Sequence, residues 1–135
     1  MTKTFMTKVM VFGTFDIFHP GHVNFLRQAR KYGDYLIVII ARDKTVLNIK
    51  KSLPRYQEKK RLAEIIKSNL TDKAVLGSLR DKYQVVKKYQ PAVICLGYDQ
   101  KNFINQLAEK LKQFKLKTKI VRLKPYRPKI YKSSK

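Results

Sequence analysis

The chain has a single cysteine, Cys95, so it cannot form an internal disulfide or a cysteine-based metal site. It has no apolar run that approaches the roughly 18–20 residues needed to cross a bilayer, and its longest such run is residues 35–41. Its first residues contain no apolar stretch of signal-peptide length. These absences predict a cytoplasmic protein that does not associate with a membrane.

Acidic residues are also few. Nine Asp and Glu stand against 31 Lys and Arg, which gives a net charge of +22. This imbalance predicts attraction to polyanions such as nucleic acids, nucleotides or pyrophosphate, without selecting among them. There is no zinc-finger spacing and no glycine–aromatic signature of an RNA-binding fold. We therefore expect most of the charge to be solvated surface, and we do not favour nucleic acid as a partner.

The length of 135 residues suits one compact domain. Short apolar runs alternate with helical stretches of about ten residues, which predicts an α/β fold with a five-stranded parallel sheet and helices on both faces. In the second predicted helix, residues 57–68, the side chains of Leu62, Ile65 and Ile66 are expected to face the core. The predicted strands are residues 9–12, 35–41, 74–76, 93–96 and 119–123, the predicted helices are residues 21–32, 57–68, 82–89 and 103–114, and residues 42–56 are predicted to be a polar loop.

Parallel sheets of this kind bind ligands where the strands end, which marks residues 13–22, 42–51 and 97–101. The first of these segments reads Gly13-Thr-Phe-Asp-Ile-Phe-His-Pro-Gly-His22. Gly13 would permit a sharp turn and a close approach to a ligand. The helix that follows should offer free N–H groups and about half a unit of positive charge, which together form a seat for phosphate.

The chain has only two histidines, His19 and His22, and both lie at this helix start. At a spacing of three residues, both rings can point to one side, towards the same phosphate. The pair could also bind a metal, but zinc normally takes three or four protein ligands and the chain has few others to offer. A capping or solvated histidine is the alternative for each position.

The order of residues in this segment resembles Gly-Thr-Phe-Asp-x-x-His-x-Gly-His, the signature of the cytidylyltransferase-like family of nucleotidyltransferases. Its seven fixed positions would match by chance roughly once in a billion windows. Leu-Gly-x-Asp-Gln and Ser-Ser-Lys near the end of the chain favour the archaeal-type FAD synthase branch over glycerol-3-phosphate cytidylyltransferase. The segments that resemble this branch are residues 38–43, 61–62, 72–77, 96–100 and 131–135.

The resemblance implies a single Rossmann-like domain of the HUP type and an in-line attack on the α-phosphorus of a nucleoside triphosphate. In the flavin version, FMN attacks ATP to give FAD and pyrophosphate, with Mg²⁺ bridging the phosphate oxygens. A phosphate monoester is largely a dianion at pH 7, so no general base is needed. The expected catalytic residues are His19, His22 and Lys44, although Lys44 also suits an ordinary surface position.

The resemblance also implies a set of nucleotide contacts. Asp99 could accept a hydrogen bond from the ribose or the base, or it could cap the following helix. Asp16 could assist Mg²⁺, but the resemblance favours a role in bracing its loop. Arg61 begins a helical pattern at a position compatible with solvent. The expected nucleotide-binding residues are Gly13, Thr14, Phe15, Gly21, Gly97, Asp99, Arg127, Ser133 and Ser134.

The expected organisation is a loose extension at residues 1–6, a transferase domain at residues 7–124 and a basic segment at residues 125–135 that closes over the nucleotide. The family also implies a homodimer as an option. Two alternatives remain open. One is a CTP-dependent enzyme that acts on glycerol 3-phosphate or a similar alcohol phosphate. The other is a nucleic-acid-binding module on an inactive transferase fold, against which the intact histidine pair argues.

Overall fold

Strands and helices alternate along the chain in a computed structural model that describes residues 6–97, 100 and 104–125. Two helices, instead of one, follow the second strand. The strands are β1 (Lys8–Gly13), β2 (Tyr35–Ile40), β3 (Lys73–Leu76), β4 (Val93–Leu96) and β5 (Lys119–Arg122), and the helices are α1 (Pro20–Arg30), α2 (Asp43–Lys50), α3 (Glu58–Lys67), α4 (Gln84–Tyr89) and α5 (Ile104–Gln113).

The five strands form one parallel sheet in the order β3-β2-β1-β4-β5. Val11 in β1 lies opposite Val38 of β2 on one side and Cys95 of β4 on the other. The chain builds outward from β1 through β2 and β3, then returns to β4 and continues to β5, so the strand order reverses beside β1. This is the order of a Rossmann-like mononucleotide-binding sheet, and the predicted fold class is confirmed.

Successive strand residues point to opposite faces, and both faces are buried. On one face Val9 and Val11 pack with Leu26 of α1 and Ile65 of α3. On the other face Met10 packs in a second cluster, with side chains from α4 and α5. Each fully buried aliphatic side chain contributes about 1.5–3 kcal/mol to the stability of the fold. Burial in these two clusters explains why the strands are short apolar runs in the sequence.

Two local predictions were wrong. Residues 42–56 do not form only a loop, because α2 occupies most of this segment. The helix was hard to foresee because it buries one side chain, Val46, while Leu47 and Ile49 are exposed. Ile66 was expected to face the core but is 55% exposed, since α3 turns only Ile65 and part of Leu62 towards the sheet.

The carboxyl ends of β1, β2 and β4 lie side by side, and each is followed by one of the three segments predicted to meet a ligand. Residues 1–5 and 126–135 lie outside the described part of the chain, so the proposed extension and most of the closing segment are not described. Among the helices of residues 6–97 and 104–125, none is both long enough and apolar enough to cross a membrane.

Candidate active site

The turn after β1 is built around the ring of Phe15. This ring is buried in the core, although its backbone adopts a left-handed conformation with φ of 50°. Such a conformation costs a non-glycine residue about 1–3 kcal/mol and persists only where packing holds it. Gly13 was expected to permit a sharp turn and a close approach to a ligand, and its φ is not positive. Its role is steric, because a Cβ at Gly13 would lie 2.6 Å from the Phe15 ring.

The two histidines form a reciprocal cap at the start of α1. His19 is the N-cap residue, and its Nδ1 accepts a hydrogen bond from the backbone N–H of Gly21 at 3.0 Å. The Nδ1 atom of His22 accepts in return from the backbone N–H of His19 at 3.3 Å. Ser or Thr with Glu usually plays these two parts. Here the cap uses the same side chains that the motif marks for chemistry.

The rings of His19 and His22 stack with centroids 3.8 Å apart and planes 19° from parallel. The Phe18 ring stacks on His22 at 5.7 Å, and the edge of Phe15 meets it at 5.2 Å. Because both Nδ1 atoms accept backbone hydrogen bonds, each neutral ring carries its proton on Nε2, at the far edge of the ring. The rings therefore lie together, as their spacing predicted, and present two N–H donors of the same kind.

The backbone at the helix start differs from expectation. Pro20 has no N–H, the N–H of Gly21 is donated to His19, and the N–H of His22 is donated to the carbonyl oxygen of His19 at 2.9 Å. The prediction of free N–H groups in this turn is therefore wrong. The helix dipole still points at the site, and the side-chain donors at this helix start belong to the imidazole rings. A nucleotide contact from Gly21 stays a prediction.

Burial makes this pair neutral. His22 is 8% exposed, and burial, with the nearby His19, lowers the pKa of its imidazole to about 3, against a smaller opposing effect of Asp16. Burial also lowers the pKa of His19. Two neutral rings can stack at this distance, whereas two imidazolium ions would repel each other. Near pH 7 the pair acts as hydrogen-bond donors and carries no net charge.

The depressed pKa of His22 predicts how stability depends on pH. In the unfolded chain this imidazole titrates near 6.5, whereas in the folded chain its pKa is about 3. Between these values only the unfolded chain binds the proton, so the stability is complete above pH 6.5 and is lost as pH falls towards 3. We expect this group to contribute a slope approaching 1.4 kcal/mol per pH unit. Urea unfolding of the parent and of His22→Gln at several pH values measures it, and parallel curves would contradict the expectation.

Asp16 braces the loop, as expected. Its two carboxylate oxygens accept hydrogen bonds from the backbone N–H groups of Arg55 and Tyr56, each at 2.8 Å. Both oxygens therefore have protein partners, and the side chain holds the connection between α2 and α3 against the turn that carries the histidines.

Arg61 is the residue whose position departs most from its sequence interpretation, because it is fully buried instead of solvated. Its Nε donates to the carbonyl oxygen of Tyr56 at 3.0 Å, and one terminal nitrogen donates to the carbonyl oxygen of Thr14 at 2.9 Å. The other terminal nitrogen pairs with the carboxylate of Asp43 at 2.7 Å. One guanidinium thus joins the turn after β1, the start of α2 and the segment before α3.

The first residues of α2 and α3 are fastened to each other. The Asp43 carboxylate accepts from the N–H of Glu58 at 3.2 Å, and the Glu58 carboxylate accepts from the N–H of Asp43 at 2.8 Å. Arg42 adds an ion pair to Glu58 at 3.0 Å and a hydrogen bond to the carbonyl oxygen of Gly77. Acidic side chains at helix N-termini also suit the helix dipole.

The loop after β4 is held by Gln100 and Arg122. The Gln100 side chain accepts from the N–H of Gly97 and donates to the carbonyl oxygen of Phe12, both at 2.7 Å. Arg122 donates to the carbonyl oxygens of Gly97 and Gln100 at 2.5 and 2.8 Å. These bonds tie the end of β4 to the end of β1, where the strand order reverses and ligands of such sheets bind.

The other predicted site residues fall into two groups. Lys44 lies exposed in the first turn of α2, and Thr14 supplies a carbonyl oxygen to Arg61. Asp99, Arg127, Ser133 and Ser134 lie outside the described residues, and their contacts stay predictions.

Cys95 is buried, and burial raises the pKa of its thiol to about 12, which leaves it inert as a nucleophile. Over residues 6–97, 100 and 104–125, no three His, Cys, Asp or Glu side chains group as metal ligands do.

Sequence reasoning missed the bracing residues. Arg42, Asp43, Glu58 and Arg61 act through long-range hydrogen bonds that no local periodicity reveals. One signal was present, because residues 38–43 and 61–62 matched the family segments. Arg61 also stands four positions before Ile65, which places it on the same, inward side of the helix.

A parallel sheet of this order, with a stacked histidine pair at the carboxyl end of its central strand, defines a Rossmann-like nucleotidyltransferase. Comparison with known proteins agrees, since the sequence pattern described as cytidylyltransferase-like matches residues 10–135. The chain therefore belongs to the cytidylyltransferase-like family.

Several relatives are similar over most of their length. The FAD synthase of Methanosarcina acetivorans is 47% identical over 118 residues, covering 87% of this chain and 77% of that protein. The FAD synthase of Aciduliprofundum boonei is 45% identical over 122 residues, covering 90% and 80%. A crystal structure described as a lipopolysaccharide core biosynthesis protein from Thermoplasma volcanium has a TM-score of 0.84 and 39% identity, and the match covers 90% of this chain and 99% of that one.

Proposed function

We propose that the chain is an adenylyltransferase that joins ATP to FMN and releases FAD and pyrophosphate. The observation that carries the proposal is the stacked pair of His19 and His22, two neutral donors at the point where phosphate is expected. The choice of substrates is supported by the FAD synthases that match most of the chain. We also propose that the reaction takes place in the cytoplasm, and a homodimer stays a prediction.

In the proposed step, an oxygen of the FMN phosphate attacks the α-phosphorus of ATP. The new phosphorus–oxygen bond forms as the bond from the α-phosphorus to the oxygen bridging to the β-phosphorus breaks, and pyrophosphate leaves with the electron pair. The FMN phosphate has its second pKa near 6, so it is already a nucleophilic dianion and needs no base. This accords with histidines whose Nδ1 lone pairs are used by the backbone.

The protein must then stabilise charge on the transferring phosphorus. We assign this to the Nε2–H groups of His19 and His22. Their direction is set before substrate arrives, because the cap fixes one edge of each ring and the stack fixes its plane. Lys44 is assigned to the triphosphate as a point charge, on the exposed first turn of α2.

When bound, Mg²⁺ would neutralise part of the negative charge on the triphosphate oxygens. The residues present would suit an ion held mainly by the nucleotide, because Asp16, the carboxylate nearest the histidines in sequence, already accepts hydrogen bonds from two backbone N–H groups. We therefore assign no protein cage to the metal.

A substrate matrix tests the proposal. Each of the four nucleoside triphosphates is combined with FMN, glycerol 3-phosphate or a sugar 1-phosphate, and pyrophosphate release is followed. We expect ATP with FMN to give FAD with a kcat/KM at least tenfold above any other pair, because buried polar groups reject a ligand that leaves them unpaired.

The remaining outcomes separate the alternatives. Turnover only with CTP and an alcohol or sugar phosphate would replace the flavin assignment. The 39% identity to a protein described as a lipopolysaccharide core biosynthesis protein makes this comparison informative. No turnover with any pair, together with nanomolar RNA binding that weakens steeply with salt, would favour the nucleic-acid alternative.

A further inference from the structure

The exposed apolar side chains are unevenly placed. Leu47, Ile49 and Leu53 are 40%, 53% and 63% exposed, and all three lie in the segment of residues 43–56 that joins β2 to α3. Ile17, 43% exposed, lies in the turn after β1, next to Asp16. Exposed apolar side chains that concentrate in one segment indicate a binding surface more often than side chains scattered singly do.

Both ends of this segment are fastened to the turn that carries the histidines; we call residues 43–56 the anchored segment. At its start, Asp43 is paired with Arg61, which also donates to the Thr14 carbonyl oxygen. At its end, the N–H groups of Arg55 and Tyr56 are donated to Asp16. The segment that carries the exposed apolar side chains is therefore attached at both of its ends to the turn after β1.

The anchored segment follows β2, on the opposite side of β1 from the loop after β4. That loop begins at Gly97 and contains residues that the family resemblance marks as nucleotide contacts. The acceptor must reach the same phosphorus at the histidines from elsewhere, and the anchored segment is the neighbouring surface on the other side. It buries only Val46, so the fold itself does not use its remaining apolar side chains.

We propose that the anchored segment binds the isoalloxazine ring of FMN through Ile49 and Leu53. This inference rests on the proposed function and specifies its acceptor subsite. A flavin ring is flat, aromatic and largely apolar, and it is joined to its phosphate by a short chain. The ring must therefore lie close to the histidines that hold the phosphate, against side chains that gain from leaving water.

The test compares exposed apolar residues inside and outside the segment. Ile49→Ser, Leu53→Ser and the double variant are matched by Ile66→Ser, since Ile66 is 55% exposed on α3 and Ile49 is 53% exposed. FMN is titrated with each protein, and quenching of its own fluorescence is followed.

We expect the double variant to bind FMN at least tenfold more weakly and Ile66→Ser to change the affinity less than twofold. The KM for ATP should be unchanged in all variants. Equal FMN affinity in the double variant and the parent would overturn the subsite, as would a raised KM for ATP alone. Loss of a dimer on sedimentation with unchanged FMN affinity would also overturn it, because the surface would then join two copies of the chain.

Failure of the subsite and failure of the proposed function give different results. If the parent binds FMN and makes FAD while the double variant behaves identically, only the subsite is wrong. If the parent neither binds FMN nor makes FAD, the proposed function and the subsite both fail.

Discussion

Replacing His22 with alanine is expected to lower turnover at least a hundredfold while the KM values change little. The Nε2–H group of this ring is assigned to the oxygens of the reacting phosphorus, and loss of one such fixed donor costs about a hundred- to a thousandfold. The loss should appear in kcat because the donor acts most strongly as charge develops. FAD formation under saturating ATP and FMN measures it.

A conservative replacement separates chemistry from packing. His22→Gln keeps an amide donor near the former Nε2 and should recover part of the lost turnover, although glutamine lacks the stacked ring that fixes the donor's direction. Circular dichroism and urea unfolding establish that both variants are folded. Turnover within threefold of the parent in a folded His22→Ala would remove this histidine from the mechanism.

The second large effect is expected from Arg61→Met, which should reduce the free energy of unfolding by about 3–5 kcal/mol. The guanidinium is fully buried, and its removal leaves the Asp43 carboxylate and the carbonyl oxygens of Thr14 and Tyr56 without this donor. The melting temperature should fall by roughly 10 °C or more. Urea and thermal unfolding measure both quantities.

The matched control is Arg30→Met, because Arg30 also pairs with an aspartate, Asp72, but is 45% exposed. A pair this exposed is worth at most about 1 kcal/mol. Arg61→Lys keeps the charge but replaces the three-way fork with a single ammonium, so it should recover only part of the stability. Equal losses in Arg30→Met and Arg61→Met would contradict the role assigned to the buried guanidinium.

Much of the fold could be read from the sequence because each strand is a short apolar run. The run of β2 is buried on both faces, and β4 was predicted with its observed bounds of Val93–Leu96. α2 could not be foreseen, because only Val46 among its side chains is buried and its apolar residues do not form one stripe. The helix is instead held by contacts of its first residue with distant parts of the chain.

The site was predictable to the extent that it is local. His19, His22 and the turn before them lie within one motif, and their stacking follows from a spacing of three residues. The neutral, Nε2-protonated state of the rings was not predictable, because it arises from hydrogen bonds of their Nδ1 atoms and from burial. The same holds for Arg61, whose three acceptors belong to segments far apart in sequence.

The reciprocal cap on α1 also limits how this protein can change over evolutionary time. The atoms that orient the donors are the atoms that start the helix, since His19 Nδ1 receives the Gly21 N–H. A descendant that abandoned catalysis would still need an acceptor at position 19, which serine, threonine or aspartate would supply. Position 22 is enclosed by Phe15 and Phe18 and supplies the longer bond of the cap, at 3.3 Å, so it would become an ordinary apolar residue more readily. After loss of activity in this lineage, position 19 would therefore keep a hydrogen-bond acceptor, whereas position 22 would vary more.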